Sequence, residues 1–140
     1  MPQVKSVYSR VKPGLLLHLI VNINSTEDRV DFSNFQDLLQ VSSVKKSKDE
    51  RPIPHFHRKR FFWGRRIIQE SWFVVSGKIQ VQLYDIDNSL ICAETLNPGF
   101  LNITYAGGHT FVTKSNDTII LEHKLGPYKG QLKDKVQFLD

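Results

Sequence analysis

The stretch Glu70-Ser71-Trp72-Phe73-Val74-Val75-Ser76-Gly77-Lys78-Ile79-Gln80-Val81-Gln82-Leu83-Tyr84 decides the fold class. Its second half alternates: Ile79, Val81 and Leu83 fall on one face and Lys78, Gln80 and Gln82 on the other. That is the period of a strand with one buried side. Its first half is a strongly apolar run, and Gly77 marks the reversal between the two. Runs of the same kind recur on both sides: Leu15 to Ile23, Leu39 to Lys46, Ile53 to His57, Ser89 to Leu96, Leu101 to Tyr105, Thr110 to Lys114 and Thr118 to Leu125. Turn chemistry separates several of them, with Asp87-Asn88, Pro98-Gly99 and Asn116-Asp117 standing where the chain must reverse. Helical periodicity is scarce. The best candidate spans Ser33 to Leu39, where Ser33 would cap and Phe35, Leu38 and Leu39 share a face. Strands and turns at this spacing predict an all-β sandwich or barrel with at most a short helix near the N-terminus.

Composition narrows the function classes. The 140 residues, 40% apolar and 24% charged, are read as one domain spanning 1–140. The lone cysteine, Cys92, excludes an internal disulfide framework and any Cys-rich zinc module, and leans toward the reducing cytoplasm. Any metal must therefore be held by histidine and carboxylate. The longest apolar run, Leu15 to Val21, is broken by His18 and is too short for a membrane helix. Lacking a small-residue cleavage site after it, the run reads as mature cytoplasmic protein. A net charge of +5 favours anionic partners without naming one.

Three segments carry candidate chemistry. His55 and His57 stand two apart in Pro54-His55-Phe56-His57, so on a strand both imidazoles project to one face and could converge on one ion, or merely pair on a wet face. Glu70 shares parity with Trp72 and Val74. If those two point inward the carboxylate does too, and a buried carboxylate needs a metal, a cation or a shared proton. His109 follows the turn Ala106-Gly107-Gly108 and opens the next strand. Gln69 replaces Glu70 only if the register slips by one, which would also turn Trp72 outward.

These segments resemble the two motifs of the cupin superfamily, small double-stranded β-helix (jelly-roll) barrels. His55, His57, Glu70 and Gly77 match the first motif, with the family's spacing of six residues between Glu70 and Gly77. Twelve residues, Arg58 to Gln69, separate His57 from Glu70 where the family has three or four, so the joining hairpin is extended. No glycine matches the family's opening position. Gly99, Gly107 and His109 correspond to the second motif, with Tyr105 where proline is usual, one residue fewer before the histidine, and Thr113 where asparagine is usual. The run Gln69-Glu70-Ser71-Trp72, the later Gly107-Gly108-His109, Asp117-Thr118 and Gly126-Pro127-Tyr128 are similar to small bacterial cupins met among surface-polysaccharide genes. The resemblance implies a divalent metal on His55, His57, Glu70 and His109. Three imidazoles and one carboxylate suit Fe, Mn, Ni, Cu or Zn. It also implies a homodimer, since cupins commonly pair through edge strands.

The extended segment Arg58-Lys59-Arg60-Phe61-Phe62-Trp63-Gly64-Arg65-Arg66 holds five cations and three aromatics. Rooted beside the candidate ligands, it is read as a lid or pocket wall in which Arg65 and Arg66 fork a phosphate or carboxylate and Trp63 stacks on a ring. Bland alternatives are a dimer-contact hairpin or a solvated charge run. With no second basic patch to follow a backbone, nucleic acid ranks below both. Tyr105, Tyr128 and Lys124 are further pocket candidates. His123 alternates with Glu122 and Lys124, and the pattern leaves open which set faces the barrel mouth. His18 reads as a core-side or interface residue. The functional expectation is a metal-binding barrel for a small polar, anionic or sugar-derived ligand. Its alternatives are a sugar or sugar-nucleotide isomerase or epimerase, an iron-dependent dioxygenase, or a non-catalytic sensory module.

Overall fold

The computed structural model describes residues 4–24, 27–61 and 65–139, without the side chains of 4, 60, 61, 65 and 66. The strands, in chain order, are β1 (Val4–Tyr8), β2 (Leu16–Val21), β3 (Arg29–Asp31), β4 (Leu39–Lys46), β5 (His55–His57), β6 (Lys59–Phe61) and β7 (Arg65–Ile67). They continue with β8 (Glu70–Ser76), β9 (Ile79–Tyr84), β10 (Leu90–Leu96), β11 (Leu101–Thr104), β12 (Gly108–Thr113), β13 (Thr118–Leu125) and, after a short helix α1 (Gln131–Asp134), β14 (Lys135–Gln137). Two five-stranded sheets, ordered β10-β9-β12-β5-β14 and β11-β8-β13-β4-β3, make an antiparallel jelly roll. The fold is all-β. Two small hairpins, β1-β2 and β6-β7, stand apart from both sheets.

The alternation read from residues 70–84 sets which side chains meet between the layers. Trp72 and Val74 of β8 and Ile120 of β13 pack against Ile79 and Val81 of β9 and Phe111 of β12. Glu70 shares the inward parity of Trp72 and Val74 and is 2% exposed. Gly77 joins β8 to β9 at φ 75°. A side chain there would place its Cβ 2.7 Å from Thr118 Cα, so both the backbone angle and the space require glycine.

Two local expectations fail. Ser33 to Leu39 forms turns and no helix: Asn34 N donates to Asp37 Oδ2, Gln36 N donates to Asn34 Oδ1, and Ser33 Oγ accepts from Val41 N. Short polar side chains have captured the backbone donors a helix would need. Phe35 and Leu38 stay exposed, so no packing opposes that capture. The helix lies instead near the C-terminus, in a tail that shows no strong sequence pattern.

Candidate metal centre

Short strands bring the candidate ligands together from both layers. On β5 the pleat turns His55 and His57 inward and Phe56 outward onto Phe138. β12 pairs with β5 so that His109 stands opposite His55. These three imidazoles belong to one sheet, and Glu70 enters from the other at the start of β8. All four are buried, His109 completely. Trp72 stacks on the His109 ring at 4.4 Å and fixes its plane.

The contacts converge on one point. His109 Nε2 lies 2.9 Å from Glu70 Oε2, 3.1 Å from His57 Nε2 and 3.2 Å from His55 Nε2, while His57 Nε2 is 3.0 Å from Glu70 Oε2. His55 Nδ1–H donates to the Ile53 carbonyl, which leaves a lone pair on Nε2. Burial, then the charges of Lys135 and His109, push the His55 pKa down to about 3 and keep the ring neutral. Burial also lowers His109, against the pull of Glu70. For Glu70, burial favours the acid, but the bonds from His109 and His57 prevail and hold the carboxyl well below its usual range.

Proton counting exposes a conflict. With Glu70 ionised, His57 and His109 must both present Nε2–H to the same oxygen, which sets the two N–H groups against each other at 3.1 Å. Glu70 Oε1 and His57 Nδ1 are meanwhile buried without partners. A divalent cation removes the conflict, because every imidazole then turns a lone pair inward. Ligands about 2.1 Å from an ion and at right angles stand about 3 Å apart, close to the spacing here, and no two of the four donor atoms are more than 4.8 Å apart. The residues present therefore fit a divalent metal.

A polar cavity of about 290 Å³ adjoins this cluster, lined by residues of β3, β4 and β13, by Tyr128, Gln131 and Lys135. Register ties the two together: Lys124 pairs across the strands with Glu70, and Lys135 with His57. Lys124 is 6% exposed, its Nζ 4.6 Å from the centre of the Tyr128 ring. Burial lowers its pKa, with Glu122 and Glu70 opposing. Arg29 spans the cavity rim, donating to Asp31, Ser42 and Glu122.

The inward set on β13 is thus Glu122 and Lys124, and His123 turns outward toward Ser71. Tyr105 is 64% exposed and is not among the residues lining this cavity. Trp63 lies outside the described residues, as do the side chains of Arg65 and Arg66, whose backbone forms β7 against β6. His18 lies on the exposed β2, away from the core, beside a separate apolar cavity of about 380 Å³. Sequence reading missed Arg29, Asp31 and Lys135. They sit on three-residue strands, too short for any periodicity to announce them.

Neither a family model nor a curated protein matches the chain. Solved structures do. KdgF from Halomonas sp. superposes with a TM-score of 0.55 at 18% identity, over 72% of this chain and 78% of that one. The capsular polysaccharide assembling protein CapF from Staphylococcus aureus gives 0.65 at 16% identity, over 81% of this chain and 33% of that one. Oxalate decarboxylase from Bacillus subtilis gives 0.57 at 13%, over 73% and 24%. The chain thus spans about a third of CapF and a quarter of the decarboxylase. All three are cupin-fold proteins, and the chain shares their fold. No described helix is long and apolar enough to cross a membrane.

Proposed function

We propose that this cupin barrel holds one divalent metal ion on His55, His57, Glu70 and His109 and presents it to a small anionic, sugar-derived ligand in the adjoining cavity. The observation that carries the reading is the convergence of three Nε2 atoms and one carboxylate oxygen at 2.9–3.2 Å contacts that no proton arrangement satisfies while Glu70 is ionised. The donor set accommodates Fe, Mn, Ni, Cu or Zn. Such an ion, when bound, supplies Lewis-acid polarisation of ligand oxygens. The chain's own groups do the rest: Trp72 and Thr104 hold the His109 ring, and Lys124 and Glu122 place opposite charges on the cavity wall. An isomerase or epimerase reading draws support from this acid and base pair beside the ion site. Metal analysis of protein purified without chelators tests the proposal, repeated on His57→Ala and His109→Ala. Stoichiometric metal in the parent and its loss in both variants is expected; equal content in all three refutes it.

A homodimer through the outer face of the β11-β8-β13-β4-β3 sheet is also proposed. The cross-strand row Val30–Ser43–Leu121–Phe73–Leu101 and the next, Val41–His123–Ser71–Ile103, contain no Lys, Arg, Asp or Glu, and Leu39 pairs with Leu125 beyond them. An antiparallel sheet facing water carries polar residues on its outer side. Leu39, Leu101, Ile103 and Leu125 are 46–60% exposed, and the apolar β2 flanks the face. A second copy is the occupant that these two uncharged rows of the sheet face suit.

A further inference from the structure

The cavity beside the metal cluster contains a cation with no direct ion pair among the described residues, on which Glu122 and Glu70 act only at longer range. Lys124 is buried, yet it makes no ion pair or hydrogen bond with another described residue, and its described contact is the Tyr128 ring. An ammonium on a buried side chain that lacks a direct partner keeps its donors for whatever enters the cavity. The neighbouring charges are arranged differently. Arg29 donates to one oxygen of Asp31 and one of Glu122, leaving the second oxygen of each carboxylate as an acceptor on the same wall. The cavity therefore combines one buried cation without a direct ion pair, a second lysine at Lys135, and two carboxylate acceptors.

We propose that this cavity selects a monosaccharide-sized polyhydroxy acid, whose carboxylate ion-pairs with Lys124 and whose hydroxyls donate to Glu122 and Asp31. The inference rests on the proposed metal-binding barrel and names the ligand class of its cavity. Three features define that class. The Lys124 ammonium, which has no direct ion pair, calls for a single negative charge. The two acidic residues favour hydroxyl donors and repel a dianionic phosphate. A volume of about 290 Å³, at the lower end of small-molecule pockets, suits one sugar unit and not a sugar nucleotide. Lys124 is a specificity-determining residue in this account.

The test compares D-glucuronate, D-gluconate, their uncharged amides, glucose 6-phosphate and UDP-glucose on the full chain, by calorimetry and thermal shift, with metal content measured on the same samples. Wild-type protein should bind at least one acid about tenfold or more tightly than its amide, because charge-assisted hydrogen bonds are at stake. Lys124→Met should abolish that preference, and Lys124→Arg should retain part of it. Lys124→Gln serves if Met does not fold, and the acid–amide comparison on wild type stands without any variant. Equal binding of acid and amide, an unchanged preference in Lys124→Met, or tighter binding of glucose 6-phosphate or UDP-glucose overturns the proposal. Lost acid selectivity in metal-loaded protein refutes the ligand class alone, whereas absence of metal refutes the metal reading.

Discussion

Thr104 tests the metal reading without replacing a ligand. Its Oγ1 lies 2.7 Å from His109 Nδ1, and the residue is buried. A histidine that offers Nε2 to a cation carries its proton on Nδ1, and that proton needs an acceptor. Thr104→Val removes the acceptor and leaves a buried N–H unpaired. An unsatisfied buried donor costs about 1–3 kcal/mol, which corresponds to roughly 5- to 150-fold in an equilibrium constant at 1.4 kcal/mol per decade. Losses of outer-shell partners in metal sites fall in the same range, about 10- to 100-fold in affinity. Without metal the penalty shrinks, because His109 can move its proton to Nε2 and donate to Glu70. Competition titrations of Zn²⁺ against a chelating dye should therefore show a large affinity loss, with a smaller drop in the melting temperature of chelator-treated protein. An affinity within about twofold of wild type would refute the assigned protonation and the ion it implies.

Three further outcomes follow from the geometry. Gly77→Ala forces a left-handed backbone angle and a clash with Thr118, so chemical denaturation should show a loss of at least about 1–3 kcal/mol; an unchanged midpoint contradicts the packing at this turn. Metal-free protein should lose stability as pH falls from 6.5 toward 3, because the His55 pKa lies near 3 when folded and the unfolded ring takes up a proton first. The slope for one such group approaches 1.4 kcal/mol per pH unit, Glu70 acts with the same sign below its ordinary range, and a flat stability profile between pH 7 and 4 argues against buried neutral imidazoles. Finally, Leu101→Glu with Ile103→Glu should convert a dimer to a monomer in light scattering while leaving metal content unchanged; a monomeric parent protein rules the interface out.

The sequence made the inner layers legible because alternation is long enough to count there. β4 and β13 match the expected boundaries residue for residue, and the parity of Trp72 and Val74 correctly turned Glu70 inward. The four-residue cluster followed from strand geometry and the cupin resemblance, and its members do converge. The rest was hidden for two physical reasons. On β13 both alternating sets contain a polar residue, so periodicity alone does not distinguish Lys124 from His123. β3 and β14 acquire their strand character from their partners, β3 from the next strand β4 and β14 from the distant β5, and three residues carry too little local preference to reveal it.

Three of the converging groups come from one sheet and Glu70 from the other. A cation bound there would act as a rivet through the sandwich, since prising the layers apart would break at least one of its bonds. Folding would then be thermodynamically linked to ion activity, with stability rising logarithmically as free metal exceeds the dissociation constant. The lifetime of the folded chain would thereby register the metal supply of its surroundings.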